Sequence, residues 1–329
     1  MNKVECLRRM VEKISGKKGK GTTVTECLKE LAVALGKTIS GDDICELLHQ
    51  LGDIAPDVIG GGGDENKDAE RIRLNALAIT SLEKMFYDNQ KLVEIKGISN
   101  SSNITHMSNT FAGCTNLETI ALFDTSRVDT MESTFANTSK LKTIPNFNFT
   151  SVNWAKNLFS YSGIETIAYI NMPSMNYYGA EKMFYYCSKL KSLDSITFGS
   201  EPIYLTDVFA GCSNLVNAPI IYASQVETMI RTFSGCSKLV DTPELDVQFV
   251  TDFTQCFKNC KALKTVKLFN ISANIDFSAS TVFEREDIIN IFNNLASVGG
   301  KTLTLGETNL AKVTDEDKAI ATNKGWTLA

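Results

Sequence analysis

Apolar side chains recur along this chain in one repeated frame, 24 or 25 residues long. The frame is clearest in MSNTFAGCTNLETI at 107–120. It returns as MESTFANTSKLKTI at 131–144, AEKMFYYCSKLKSL at 180–193, LTDVFAGCSNLVNA at 205–218, MIRTFSGCSKLVDT at 229–242 and FTQCFKNCKALKTV at 253–266. LEKMFYDNQKLVEI at 82–95 and AKNLFSYSGIETI at 155–167, one residue short, complete eight copies. The anchors are Phe86, Phe111, Phe135, Phe159, Phe184, Phe209, Phe233 and Phe257, spaced 25, 24, 24, 25, 25, 24 and 24 residues apart. Four residues before each anchor stands an apolar residue, from Leu82 and Met107 to Met229 and Phe253. Six after stands a leucine, or Ile164 in the short copy. Twelve after, Phe123, Phe147, Ile196, Ile221, Leu245 and Phe269 form a further column. A single repeat cannot bury such a face alone, so neighbours must stack on a shared interior.

Within a repeat, M-x-x-x-F-x-x-C-x-x-L places apolar groups three and four apart, which predicts a short helix or helical turn. The run that follows, such as LETIALF at 117–123, predicts a short strand, and DTSRV at 124–128 a turn. Strands of successive repeats should pair side by side at about 4.8 Å. The fold expected over 70–283 is therefore an α/β repeat solenoid of leucine-rich type, with about eight coils.

The ends have a different texture. VECLRRMVEKI at 4–14, TVTECLKELAVALGK at 23–37 and SGDDICELLHQLGDI at 40–54 each fit an amphipathic helix. Thr23 and Glu26 have capping-box spacing. Residues 1–59 thus read as a small all-α module for attachment or oligomerisation, and 60–69, opened by Gly60 to Gly63, as a flexible linker. Residues 284–329 read as an α/β cap: a helix within 284–300 ended by glycine, a strand at 301–306, and a helix at 314–326 stopped by Gly325. Arrays need such caps to cover the last open core face.

The pattern MxxTFxGCxxLxxIxLFDTSxVxxM resembles the repeats of BspA-type bacterial surface leucine-rich proteins, over about residues 70–283. That resemblance implies adhesion and binding, with no shared catalytic residues. The closing run TLTLGETNLAKVTDEDKAIATNKGWTLA resembles the ends of repeat-bearing proteins of phages and prophages of gut bacteria. The helical head followed by glycines also looks like a virion attachment module. Together these imply a phage fibre or receptor-binding protein, exposed on head or tail. The head would contact other virion proteins and form a homo-oligomer, a trimer being the working expectation. The array would grip a host surface glycan or protein. The alternative is a bacterial cell-surface adhesin.

Charge and chemistry narrow this picture. The net charge of −5 argues against a footprint for nucleic acid. The start of the chain reads as neither a secretory signal nor a membrane span, so synthesis in a host cytoplasm is expected. Lys13 to Lys20 is basic and reads as a solvated loop. The Gly60 to Gly63 run lacks the Lys-Ser/Thr of a phosphate loop. His49 and His106 have no companions at metal-ligand spacing, so no metal or cofactor is expected. Cys114, Cys187, Cys212, Cys236 and Cys260 stand three after their anchors and read as buried small groups rather than a disulfide or metal ladder. Carboxylates such as Asp194 and Asp241 read as turn residues without the pairing a glycosidase needs, and no enzyme is expected. One cluster stands out. Eight of the nine tyrosines fall between 161 and 222. Tyrosine offers a flat apolar ring, a hydroxyl and few rotors to freeze, and is over-used at binding surfaces. Tyr169, Tyr177, Tyr178, Tyr204 and Tyr222 lie off the core columns and are the expected contacts, whereas Tyr185 and Tyr186 would fill a helix surface.

Overall fold

The computed structural model describes residues 70–75, 80–99, 101–175 and 177–329, and for 70–75 the backbone alone. The expected helical head, His49, the basic loop and the whole of the glycine linker at 60–69 lie outside the described residues. Each anchor ring lies parallel to the next. Neighbouring centroids in the row from Phe86 to Phe257 are 5.2–5.8 Å apart, and Phe277 extends the row at 5.1 Å. Seven anchors, Phe111 to Phe257, are among the largest fully buried side chains, and all belong to one apolar cluster. Burying a ring of this size removes it from water at a gain of about 1.5–3 kcal/mol.

Of the short helix or helical turn expected around each anchor, no helix forms; the segment is a chain of turns. The first described α-helix begins at Arg285. The residues two before and two after every anchor have positive φ, for example Lys84 and Asp88 (53° and 56°) or Asn157 and Tyr161 (both 57°). Right- and left-handed residues therefore alternate, and so do the amides. Leu82, Lys84, Phe86 and Asp88 donate to His106, Ser108, Thr110 and Ala112 of the next repeat, while Met85, Tyr87 and Asn89 donate three residues back. Every second N–H is thus an inter-repeat bond, a pattern an α-helix cannot make because all its amides point along its own axis. Side chains reinforce it. Thr110, Thr134 and Thr232, just before their anchors, donate to the carbonyls of Leu82, Met107 and Leu205 one repeat earlier. The thiols of Cys114, Cys187, Cys212, Cys236 and Cys260 donate to the carbonyl of the preceding anchor, at 2.8–3.1 Å.

Two parallel ladders run beside this row. In the first, β1 (Glu70–Asn75), β2 (Leu92–Ser99) and β3 (Thr119–Ile120) pair in order. So do β4 (Thr166–Met172), β5 (Ser192–Phe198) and β7 (Ile220–Tyr222), and then β9 (Leu245–Asp246) and β10 (Leu268–Phe269). Pro145 and Pro243 sit in the repeats on either side of the β4–β5–β7 sheet. Proline has no amide to give a ladder, but Pro219 holds the same column directly before β7, where pairing with β5 still forms. The second ladder links Ser81, His106, Thr130 and Trp154, then Tyr177 with Ile203. It continues in β6 (Ile203–Tyr204) with β8 (Val226–Thr228). In the last repeat the register slips by one: Leu268 is fully buried and Phe269 faces outward, opposite to the expected column.

The cap differs in detail from expectation. Helix α1 (Arg285–Asn294) ends at Leu295, well before the glycines, because Leu295 turns extended and bridges Ile271. β12 (Lys301–Thr304) lies between β11 (Ile275–Asp276) and β13 (Trp326–Leu328), an arrangement the sequence pattern did not suggest. Between them come α2 (Glu307–Leu310) and α3 (Asp315–Thr322), the latter closed by a Thr314–Asp317 capping box. Arg285 clamps Asp317 with two bonds of 2.9 and 2.6 Å, tying α1 to α3. Gly325 has φ 88° and follows α3 as expected.

Candidate binding surface

The five expected contact tyrosines separate into two groups. Tyr177, Tyr178 and Tyr204 come together beside the second ladder. The ring of Tyr204 meets Tyr178 edge-on at 4.6 Å and Tyr177 at 5.8 Å. Tyr177 and Tyr178 are exposed, while Tyr204 is half-buried. A hydrogen bond to Glu227, helped by partial burial, pushes the Tyr204 hydroxyl above its ordinary pKa. Tyr169 and Tyr222 instead stand on the outer face of the β4–β5–β7 sheet, together with exposed Ile220. Tyr169 is in register with Ser195 and Ile220, and Tyr222 with Thr197. A shallow depression borders each side of that sheet. One of about 510 Å³ includes Tyr222, Glu244 and Asp246. The other, of about 210 Å³, includes Pro145, Phe147 and Tyr169.

A third group was not expected. Tyr161 and Tyr186 hold the second position after their anchors and stack at 5.4 Å with planes 16° apart; Tyr185 meets both edge-on, at 5.6 and 4.6 Å. As whole residues Tyr161 and Tyr186 are 50% and 49% exposed. Burial, and then the neighbouring phenols, raise the pKa of Tyr185. Lys182 lies over the Tyr185 ring, 5.7 Å from its centroid. Next to it Arg231 grips the buried Asp207 with two bonds of 2.7 Å, and that bidentate contact raises the arginine pKa. Lys156 and Lys182 both pair with Glu181, at 2.8 and 3.6 Å. A helical reading put Tyr185 and Tyr186 on one bland surface. The missed signal was the column itself, where the other repeats carry Gly113, Gly211, Gly235, Asn137, Asn259 and Asp88, residue types that tolerate left-handed backbone.

The remaining candidates have structural partners. The Nδ1 of His106 shares a 2.8 Å hydrogen bond with Thr105, and its Nε2 lies 3.9 Å from Asp129. Asp194 is exposed in β5 rather than in a turn, and Asp241 pairs with Lys267 at 3.0 Å. Among the described residues no three His, Cys, Asp or Glu side chains gather as a metal site would require. The six described cysteines are buried, and burial pushes the Cys187 thiol up to about 12. Among the described residues no helix is long and apolar enough to cross a membrane.

Comparison with known proteins assigns the repeats. The family described as "Mycoplasma protein of unknown function, DUF285" matches residues 80–196 and 178–296, more than half of the chain. The chain belongs to the DUF285 family. That family is associated with BspA-like surface repeat proteins, in agreement with the resemblance carried by the repeat motif. No curated protein and no solved structure matches the DUF285 chain.

Proposed function

We propose that this DUF285 chain is a non-catalytic binding protein, and that its described region is a leucine-rich-type repeat solenoid that holds the binding face rigid. One observation carries the binding reading: exposed or half-exposed tyrosines crowd into three adjacent repeats, fixed by ring-to-ring contacts, on a frame cross-bonded at every second amide. Preorganised aromatic groups bind with little ordering cost. The ion pairs around them fix position more than they supply affinity.

Within this reading the protein is a virion fibre or receptor-binding protein, with residues 1–59 as attachment head and 60–69 as linker. Several copies on one particle would raise avidity without strong single contacts. The alternative is a bacterial cell-surface adhesin. Two measurements test the proposal. Labelled full-length protein should adhere to intact host cells, saturably, and release no oligosaccharide from their capsule. Adhesion no better than that of an unrelated acidic protein, or steady release of sugar, overturns it. Mass spectrometry of purified particles from the source phage decides location: the chain present supports the virion reading, and its absence favours the adhesin.

A further inference from the structure

We infer that the turn-side cluster of Tyr161, Tyr185 and Tyr186 is a binding site for a neutral saccharide. This rests on the binding reading above, and places the contact on a face that sequence reasoning passed over. The first support is backbone cost. Tyr161 and Tyr186 hold φ of 57° and 55°. Bulky side chains are disfavoured there, and the same column elsewhere carries glycine, asparagine or aspartate. The two tyrosines accept that cost in a column where the other six repeats avoid a bulky side chain. The second support is the seat built for them. Gly211 of the following repeat lies against Tyr186, and any Cβ there would come within 2.8 Å of the ring. The third is rigidity, since each ring is held by the other two before any ligand arrives.

The surrounding charges select the ligand class. Lys182 already lies over Tyr185, so a cationic ligand such as a quaternary ammonium would meet a like charge. Lys156, Lys182 and Arg231 are each ion-paired, to Glu181 or Asp207, so no free cation waits for an anion. What remains is partly exposed aromatic surface edged by hydroxyls. Tyr161 and Gly211 cover the two faces of Tyr186, so the surface suits a neutral sugar ring whose C–H groups meet the face of Tyr161 turned away from Tyr186 and whose hydroxyls meet the phenols.

The test uses the full chain on an array of neutral oligosaccharides with acidic counterparts, and the variants Tyr161→Asn and Tyr186→Gly, singly and combined. Those are the residues that Asn137 and Gly211 present at the same position, so the fold should accept them. The expected result is binding to neutral oligosaccharides, at least tenfold weaker in the double variant, with an unchanged or higher Tm; Tyr87→Ala, an exposed tyrosine of the first repeat outside the cluster, should bind as the parent does. Unchanged binding by the double variant overturns the site and leaves the binding reading intact. So does a lower Tm accompanying lost binding, which would make the rings packing elements. Binding to acidic sugars alone, or to cells stripped of glycans, overturns the ligand class. A parent protein that binds neither the array nor intact cells overturns both this inference and the reading beneath it.

Discussion

At the scale of single residues, the anchor phenylalanine and the thiol three positions later form one unit. The ring fills the interior, and the thiol of the next repeat satisfies the anchor's carbonyl. Phe159→Ala should cost roughly 3–5 kcal/mol in a urea melt, because the rings stacked on both sides cannot collapse into the space. Gly211→Ala should destabilise by roughly 1–3 kcal/mol, since its φ of 79° and the Tyr186 ring leave no room for a methyl group. The thiols give a pH signature. Unfolded cysteine ionises near about 8.5, whereas burial holds folded Cys187 protonated until about 12. A raised folded pKa contributes stability that is complete below the unfolded value. That contribution declines as pH climbs from there toward 12, because the unfolded state alone gives up its proton. The urea midpoint should therefore fall between pH 8.5 and 11. A thiol reagent should modify Cys187, Cys212 and Cys236 only after unfolding; rapid native modification would contradict their burial.

At the scale of elements, the repeat frame and its register were legible because one apolar column, Phe86 to Phe257, fixes everything around it. Around each anchor, where a short helix or a helical turn was expected, the chain forms a run of turns. Spacings of three and four suit a helix and a run of alternating turns equally well. The distinguishing residues were Gly113, Gly211 and Gly235 and their asparagine counterparts, which signal left-handed backbone rather than a cap. The strand in LETIALF is shorter than the run, since only Thr119 and Ile120 form it, whereas β2, β4 and β5 reach seven or eight residues. The slip that buries Leu268 and exposes Phe269 was not legible, because both residues are apolar and adjacent. In the cap, Thr314 closes the start of α3 with its side chain, and Thr314→Ala should lower stability by about 1 kcal/mol in the same melt. The β11–β12–β13 sheet was not legible, because Trp326–Leu328 is too short to read as a strand alone. At the surface, tyrosine crowding was visible, but which rings share a face depends on turn geometry. Tyr161 and Tyr186 therefore emerged only with the coordinates.

At the scale of the whole molecule, the account depends on each repeat handing its amides to the next. That arrangement is one-dimensional and directional, so it must end somewhere. Arg231 and Gly235 donate to Thr254 and Lys258. Among the described residues, the matching amides of Gln255 and Asn259 have no such acceptor, because no ninth repeat follows. Native-state hydrogen exchange read residue by residue on the full chain tests this directly. The amides of Arg231 and Gly235 should exchange many times more slowly than those of Gln255 and Asn259. Equal protection at all four, as separate helices would give, would contradict the account.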